Sequence, residues 1–115
     1  MILSHMEHYS LDSVFQALSD PTRRAVIGRL GGGPASITEL SEPFGIALPS
    51  FLKHIRVLEA AGWIRTSKTG RVRTCTLEPE AMAVAEGWLG RQRAIWETRT
   101  DRLEDLVLNE GKDDR

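Results

Sequence analysis

Residues 47–62 constrain the fold most, because their pattern predicts one helix with two chemically different faces. Pro49 falls in the first turn of this helix, where its missing N–H costs nothing, and Gly62 stands where a left-handed C-terminal cap belongs. The apolar residues recur at helical spacing and predict a single buried face. The members of that face are Leu48, Phe51, Ile55 and Leu58.

The opposite face of this helix combines cations with small side chains and holds no acid. Its members are Pro49, Lys53, Arg56 and Ala60, with Ser50 and Val57 on the flank. Small side chains allow close approach, and cations contact phosphates or the edges of purines. The face is therefore predicted to lie against a polyanion.

Two runs rich in β-branched residues follow the helix and predict a β-hairpin. They cover residues 63–68 and 72–77, with Thr69-Gly70 as the tight turn between them. The tip of the hairpin carries three cations, Lys68, Arg71 and Arg73.

Positive charge is concentrated on this helix and hairpin. Residues 49–73 contain six Lys or Arg and one acid, Glu59, whereas the rest of the chain contains nine basic and fifteen acidic residues. A basic run is also typical of a merely solvated surface, but its coincidence with a helix and a hairpin favours nucleic acid. A helix followed by a basic hairpin is the plan of a winged helix-turn-helix.

The ends of the first three helices are marked by capping residues. Ser10 is predicted to cap a first helix with an apolar stripe, and Asp20-Pro21 starts a second helix that runs to about Leu30, with Arg23 largely outward. Ser36 and Glu39 have the S-x-x-E spacing of a capping box, which begins a short third helix. Residues 45–47 then form the turn of the helix-turn-helix.

A long helix over about residues 80–108 is predicted after the hairpin. Its apolar residues repeat every seven positions at Met82, Leu89, Trp96 and Leu103. At about 1.5 Å per residue the helix spans roughly 40 Å, longer than so small a core needs, and a second copy of it is the simplest partner. Packing of the tryptophans within one subunit remains the alternative. The residues predicted to form a dimer interface are Leu11, Phe15, Trp88, Leu89, Ile95, Trp96, Leu103 and Leu106.

Length and composition indicate one domain of mainly α structure with a small hairpin. The chain has 115 residues, a net charge of −1 and one cysteine, which excludes an internal disulfide and favours a cytoplasmic protein. No signal peptide or membrane span is visible. We expect flexible tails over residues 1–9 and 111–115 and a single domain over residues 10–110.

Three segments together resemble the ArsR family of bacterial winged helix-turn-helix repressors. They are residues 15–24, 39–44 and 53–62, and the likeness extends over about residues 11–108. The resemblance implies a homodimer that binds a palindromic DNA operator and leaves it when an effector, here unidentified, binds. The residues assigned to DNA are Ser50, Lys53, His54, Arg56, Lys68, Arg71 and Arg73.

Two departures from the family pattern affect what the resemblance implies. Residues 39–44 contain no Cys or His and the final helix contains no His, so the ligand clusters of metal-sensing members are missing. Ala47 and Leu52 stand where relatives usually carry polar residues, so the operator sequence does not transfer.

Other chemistries find little support in the sequence. A metal site built from Cys75, His5, His8 and His54 would have to span the tail, the helix and the hairpin, so a buried, inert thiol is the default for Cys75. No phosphate loop or nucleophile–base set is recognisable, so we predict no cofactor and no enzyme activity. A winged helix used only for protein–protein contact is the serious alternative, and Leu52 is the residue that favours it.

Overall fold

The computed structural model describes residues 10–113, with side chains through residue 108. Predictions for residues 1–9, including His5 and His8, and for residues 114–115 lie outside this range. The elements are α1 (Leu11–Ala17), α2 (Pro21–Leu30), β1 (Ala35–Ser36), α3 (Ile37–Ser41), a 3-10 turn (Glu42–Phe44), α4 (Leu48–Ala60), β2 (Ile64–Thr69), β3 (Val72–Leu77) and α5 (Pro79–Asp113). The mainly helical winged fold is confirmed.

The first three helices begin at the predicted capping residues. The side chains of Ser10, Asp20 and Ser36 each accept a hydrogen bond of 3.1 Å from the backbone N–H three positions later. Glu39 completes the capping box, because its Oε1 accepts from the Ser36 backbone N–H at 3.1 Å. α4 differs, since Ala47 has the extended cap conformation but no side-chain oxygen.

Two of these caps hold carboxylates in their ionised form. Partial burial opposes ionisation of Asp20, but the hydrogen bonds from the backbone N–H groups of Arg23 and Thr22 and the charge of Arg23 outweigh it, so the pKa of Asp20 lies below its ordinary value. The pKa of Glu39 is also lowered, chiefly by its hydrogen bonds from the Ser36 backbone and side chain.

α4 ends in a Schellman motif, as the predicted Gly62 cap requires. Gly62 has φ +83°, its N–H donates to Glu59 O at 3.1 Å, and the Trp63 N–H donates to Leu58 O at 3.0 Å. The motif turns the chain directly from α4 into β2, the first strand of the hairpin.

The chain forms two compact units that divide between Ala85 and Glu86. The first unit contains the hydrophobic core, to which α4 contributes Phe51, Ile55 and Leu58. Leu48 was expected on this face, but its side chain is 51% exposed. A helical side chain covers the turn before its own Cα, and Leu48, as the first residue of α4, has no such turn to cover.

The sheet has three strands rather than the two of the predicted hairpin. β3 lies in the centre with both neighbours antiparallel, and β1 pairs Ala35 with Cys75. The two-residue connection between β2 and β3 is Gly70-Arg71, one position later than predicted, because Thr69 pairs with Val72. Gly70 has φ +62° at the first loop position, where the favoured hairpin turns demand a positive φ.

The second unit consists of α5 from residue 86 onward. α5 continues to Asp113, five residues beyond the predicted end. Its large apolar side chains are exposed, with Trp96 67% and Leu103 64% accessible. Within the described residues, no helix is both long enough and apolar enough to cross a membrane.

Candidate nucleic-acid interface

The buried face of α4 fixes this helix to the rest of the first unit. The rings of Phe44 and Phe51 stack with centroids 5.7 Å apart, so the end of the 3-10 turn contacts the first turns of α4. Leu52 is partly buried and packs against the core. Leu52 therefore has a packing role, which weakens the one sequence feature that favoured a protein-contact module.

His54 connects α4 directly to α2 and, through Arg23, to α1. Its Nδ1 lies 3.1 Å from Nη1 of Arg23 and 3.8 Å from Oδ2 of Asp20. Because arginine only donates, Nδ1 is the acceptor of this hydrogen bond. His54 was assigned to DNA, but these contacts place it at the junction of three helices.

Arg23 is the centre of this junction, and the expectation that it points outward is wrong. Its Nε donates to Ala17 O at 2.8 Å and its Nη2 donates to Gln16 O at 3.1 Å. These carbonyls belong to the last two residues of α1, where the helical N–H partners run out, and Gln16 O also accepts from the Ser19 hydroxyl at 2.6 Å. The guanidinium of Arg23 therefore joins α1, α2 and α4. Its contact with His54 limits rotation of α4 about its own axis.

The outer face of α4 exposes Ser50, Lys53 and Arg56, as predicted. Among the described residues, neither Lys53 nor Arg56 forms an ion pair or a side-chain hydrogen bond. Their charges are therefore available to an external anion.

The cations of the hairpin lie on both of its faces and at its tip. Lys68 and Arg73 are paired residues on adjacent strands, and Cys75 and Thr66 lie on the same face two positions further from the tip. Cys75 is buried, so this face is the one directed toward the core. Lys68 and Arg73 thus lie on the same face as Cys75, but nearer the tip, where the side chains are exposed. Arg71 lies in the exposed loop.

One of the six basic residues counted from the sequence is neutralised. Arg65 lies on the other face of the hairpin, and its Nη1 is 3.2 Å from Oε1 of Glu78. This pair attaches the hairpin to the residue that precedes α5, so Arg65 does not belong to the candidate interface.

Glu59, the single acid of the basic segment, links α4 to the hairpin. Its Oε2 accepts from the Thr66 backbone N–H at 3.2 Å and from Thr66 Oγ1 at 2.8 Å. Arg73 Nη1 in turn donates to Thr66 Oγ1 at 3.0 Å. No sequence motif marks this network, because it depends on the strand register, which places Thr66 diagonally opposite Arg73.

Cys75 has the environment of a structural thiol. Burial raises the pKa of this thiol, the nearby charge of Glu59 raises it further, and Arg73 opposes both. Within the described part of the chain, no three His, Cys, Asp or Glu side chains come together as a metal site would require.

Comparison with known proteins places this architecture in a family. A family model described as a helix-turn-helix domain matches residues 18–66. The HTH-type transcriptional regulator Rv2034 of Mycobacterium tuberculosis is 32% identical over 104 residues, which cover 90% of this chain and 94% of that protein. A solved structure described as an ArsR family transcriptional regulator is 60% identical with a TM-score of 0.74, and the match covers 76% of this chain and 90% of that one. The chain belongs to the ArsR family.

A further relative is described by its activity. The transcriptional repressor SdpR of Bacillus subtilis is 30% identical over 79 residues, covering 69% of this chain and 88% of that protein. The helix-turn-helix match spans both α3 and α4, the helices joined by residues 45–47. This ArsR family member is therefore a DNA-binding transcriptional regulator.

Proposed function

We propose that the protein is a homodimeric repressor that reads a palindromic operator with α4 in the major groove and with the hairpin as a wing. The observation that carries the proposal is the set of cations without partners among the described residues, Lys53, Arg56, Lys68 and Arg71. Lys53 and Arg56 belong to α4, whose other sides contact the core, α2 and the hairpin. Lys68 and Arg71 belong to the hairpin beside it.

The position of each cation indicates a role on DNA. Helix-turn-helix proteins contact base edges with the N-terminal part of the recognition helix, so Ser50 and Lys53 lie nearest the bases. Arg56, one turn later, reaches the rim of the groove. Lys68 and Arg71 contact the backbone or the adjacent minor groove, and these phosphate contacts supply affinity without sequence information.

Leu48 adds an apolar element to this reading surface. Its half-exposed side chain stands at the N-terminal end of α4, where base edges are contacted. In the major groove an apolar side chain recognises the methyl group of thymine. We therefore expect thymine-to-uracil replacement in the operator half-site to weaken binding by the parent but not by Leu48→Ala.

The exposed stripe of α5 supports the homodimer. Trp96 and Leu103 leave large apolar areas accessible to solvent, and a twofold-related copy of the helix offers a matching surface. Two recognition helices related by a twofold axis then face a palindromic site. Leu11 and Phe15, partly buried in α1, stay a predicted part of the interface.

The test is a titration of three variants against two duplexes at several salt concentrations. One duplex is selected by the parent from a randomised library, and the other is a scrambled duplex of equal composition. Lys53→Ala should reduce discrimination by about 1–3 kcal/mol if Lys53 contacts a base. Arg71→Ala should weaken binding to both duplexes and lower the salt dependence by about one counterion per subunit.

Arg91→Ala is the matched control, because it removes the same charge from an exposed residue outside α4 and the hairpin. It should bind like the parent. If Lys53→Ala and Arg71→Ala also bind the selected duplex like the parent, the basic face is only a solvated surface and the reading of DNA through it is wrong.

A further inference from the structure

Glu59 is anomalous in a surface intended for a polyanion. It lies in the last turn of α4 and is exposed. Residues 49–73 contain six cations, and Glu59 is their only acid. A carboxylate at such a place repels phosphate, so charge alone gives no reason for its presence. Its hydrogen bonds give a structural reason, because a single carboxylate oxygen of Glu59 accepts from both the backbone N–H and the hydroxyl of Thr66.

The hydroxyl of Thr66 has one proton, and the geometry determines where it points. Arg73 donates to Thr66 Oγ1 and cannot accept, so the hydroxyl proton is directed to Glu59 Oε2 at 2.8 Å. The hydroxyl thus receives from a cation and donates to an anion, an arrangement in which each bond strengthens the other. The relay runs from α4 through β2 to β3 and ends at the guanidinium of Arg73.

We propose that Glu59 and Thr66 are positioning residues that hold the Arg73 guanidinium of the wing in the orientation required by operator DNA. The inference rests on the proposed DNA-binding function and deepens it. Without the relay, Arg73 is a flexible side chain beside Lys68, its like-charged partner across the hairpin. With it, the guanidinium is oriented before DNA arrives, so less side-chain freedom is lost on binding.

Electrostatics alone predicts the opposite result for the loss of Glu59, and this makes the proposal testable. If Glu59 only repels phosphate, Glu59→Gln strengthens binding to every duplex equally. If Glu59 positions the wing, Glu59→Gln strengthens binding to scrambled DNA but gains less on the selected duplex. The ratio of the two dissociation constants then falls.

Thr66→Val is the sharper variant, because it removes the hydroxyl and keeps the charge, the size and the β-branched shape. We expect it to weaken binding to the selected duplex by about threefold to tenfold, the order of one ordinary intramolecular hydrogen bond. Thr76→Val is the matched control, since Thr76 is a strand threonine on the opposite face of the same hairpin. It should bind like the parent.

A double-mutant cycle separates positioning from a general loss of structure. In an Arg73→Ala background, Thr66→Val should have no further effect on the dissociation constant or on its salt dependence. Thermal unfolding of each variant at one protomer concentration reports any loss of the fold.

The outcomes distinguish the inference from the function on which it rests. If the parent itself fails to discriminate the selected from the scrambled duplex, the proposed function is wrong. If the parent discriminates and Thr66→Val behaves like Thr76→Val, or weakens binding equally with and without Arg73, the relay does not position the Arg73 guanidinium.

Discussion

The recognition helix α4 has no side-chain N-cap, although the backbone of Ala47 already has the N-cap conformation. Ala47→Ser should supply the missing hydrogen bond. Ala47 has φ −61° and ψ 141°, almost the same as the φ −66° and ψ 147° of Ser10, whose side chain caps α1. A serine hydroxyl at position 47 would accept from the backbone N–H of Ser50, the equivalent of the bond from Ser13 to Ser10.

The expected gain follows from the caps already present. Replacing a capping serine by alanine typically costs about 1 kcal/mol, so adding one in a conformation that already fits should stabilise by a similar amount. For a domain of this size, 1 kcal/mol corresponds to a rise in the unfolding midpoint of roughly 4–8 °C. Ser10→Ala should lower the midpoint by a comparable amount and serves as the reciprocal control.

The assay is thermal unfolding followed by circular dichroism at one fixed protomer concentration, since a dimer's midpoint depends on concentration. Ala47→Asp adds a second readout, because it should also stabilise the helix but place a negative charge beside the DNA face and weaken DNA binding. An unchanged midpoint for Ala47→Ser, together with a lowered midpoint for Ser10→Ala, would refute this account of the start of α4.

Three further expectations concern association, acid and metals. Trp96→Asp should yield monomers in sedimentation experiments while Ala94→Asp, on the opposite side of α5, leaves dimers; dimers in both cases would contradict the proposed interface. Because the pKa values of Asp20 and Glu39 are lowered, their contribution is present at neutral pH and lost as the pH falls below about 4, which acid titration of unfolding would measure. Stoichiometric zinc or arsenite should leave operator affinity unchanged, and a loss of binding that disappears in Cys75→Ala would show otherwise.

Features governed by local chemistry were predictable from the sequence. The caps at Ser10, Asp20 and Ser36 depend on one side chain and one nearby backbone N–H, and all three are confirmed. The buried positions Phe51 and Ile55 follow from helical periodicity alone. These features require no knowledge of distant parts of the chain.

Features governed by contacts distant in sequence were not predictable in this way. β1 has two residues and exists because they pair with β3, almost forty positions later, so no local strand pattern marks it. Arg23 looked like a surface cation because its partners on α1 and α4 become neighbours only in the folded chain. Glu59 likewise acquires its role only once the hairpin register is known.

The pairing of Lys68 with Arg73 has a thermodynamic consequence for the wing. Two like charges directly opposite each other destabilise a hairpin by a few tenths of a kcal/mol or more. Salt screens this repulsion, so the free hairpin should tighten as ionic strength rises, whereas its contacts with phosphate weaken. A bound phosphate removes the same repulsion, so closure of the hairpin and occupancy by DNA favour one another. Amide hydrogen exchange in the hairpin should therefore slow when either salt or duplex is added, although the two additives oppose each other in binding.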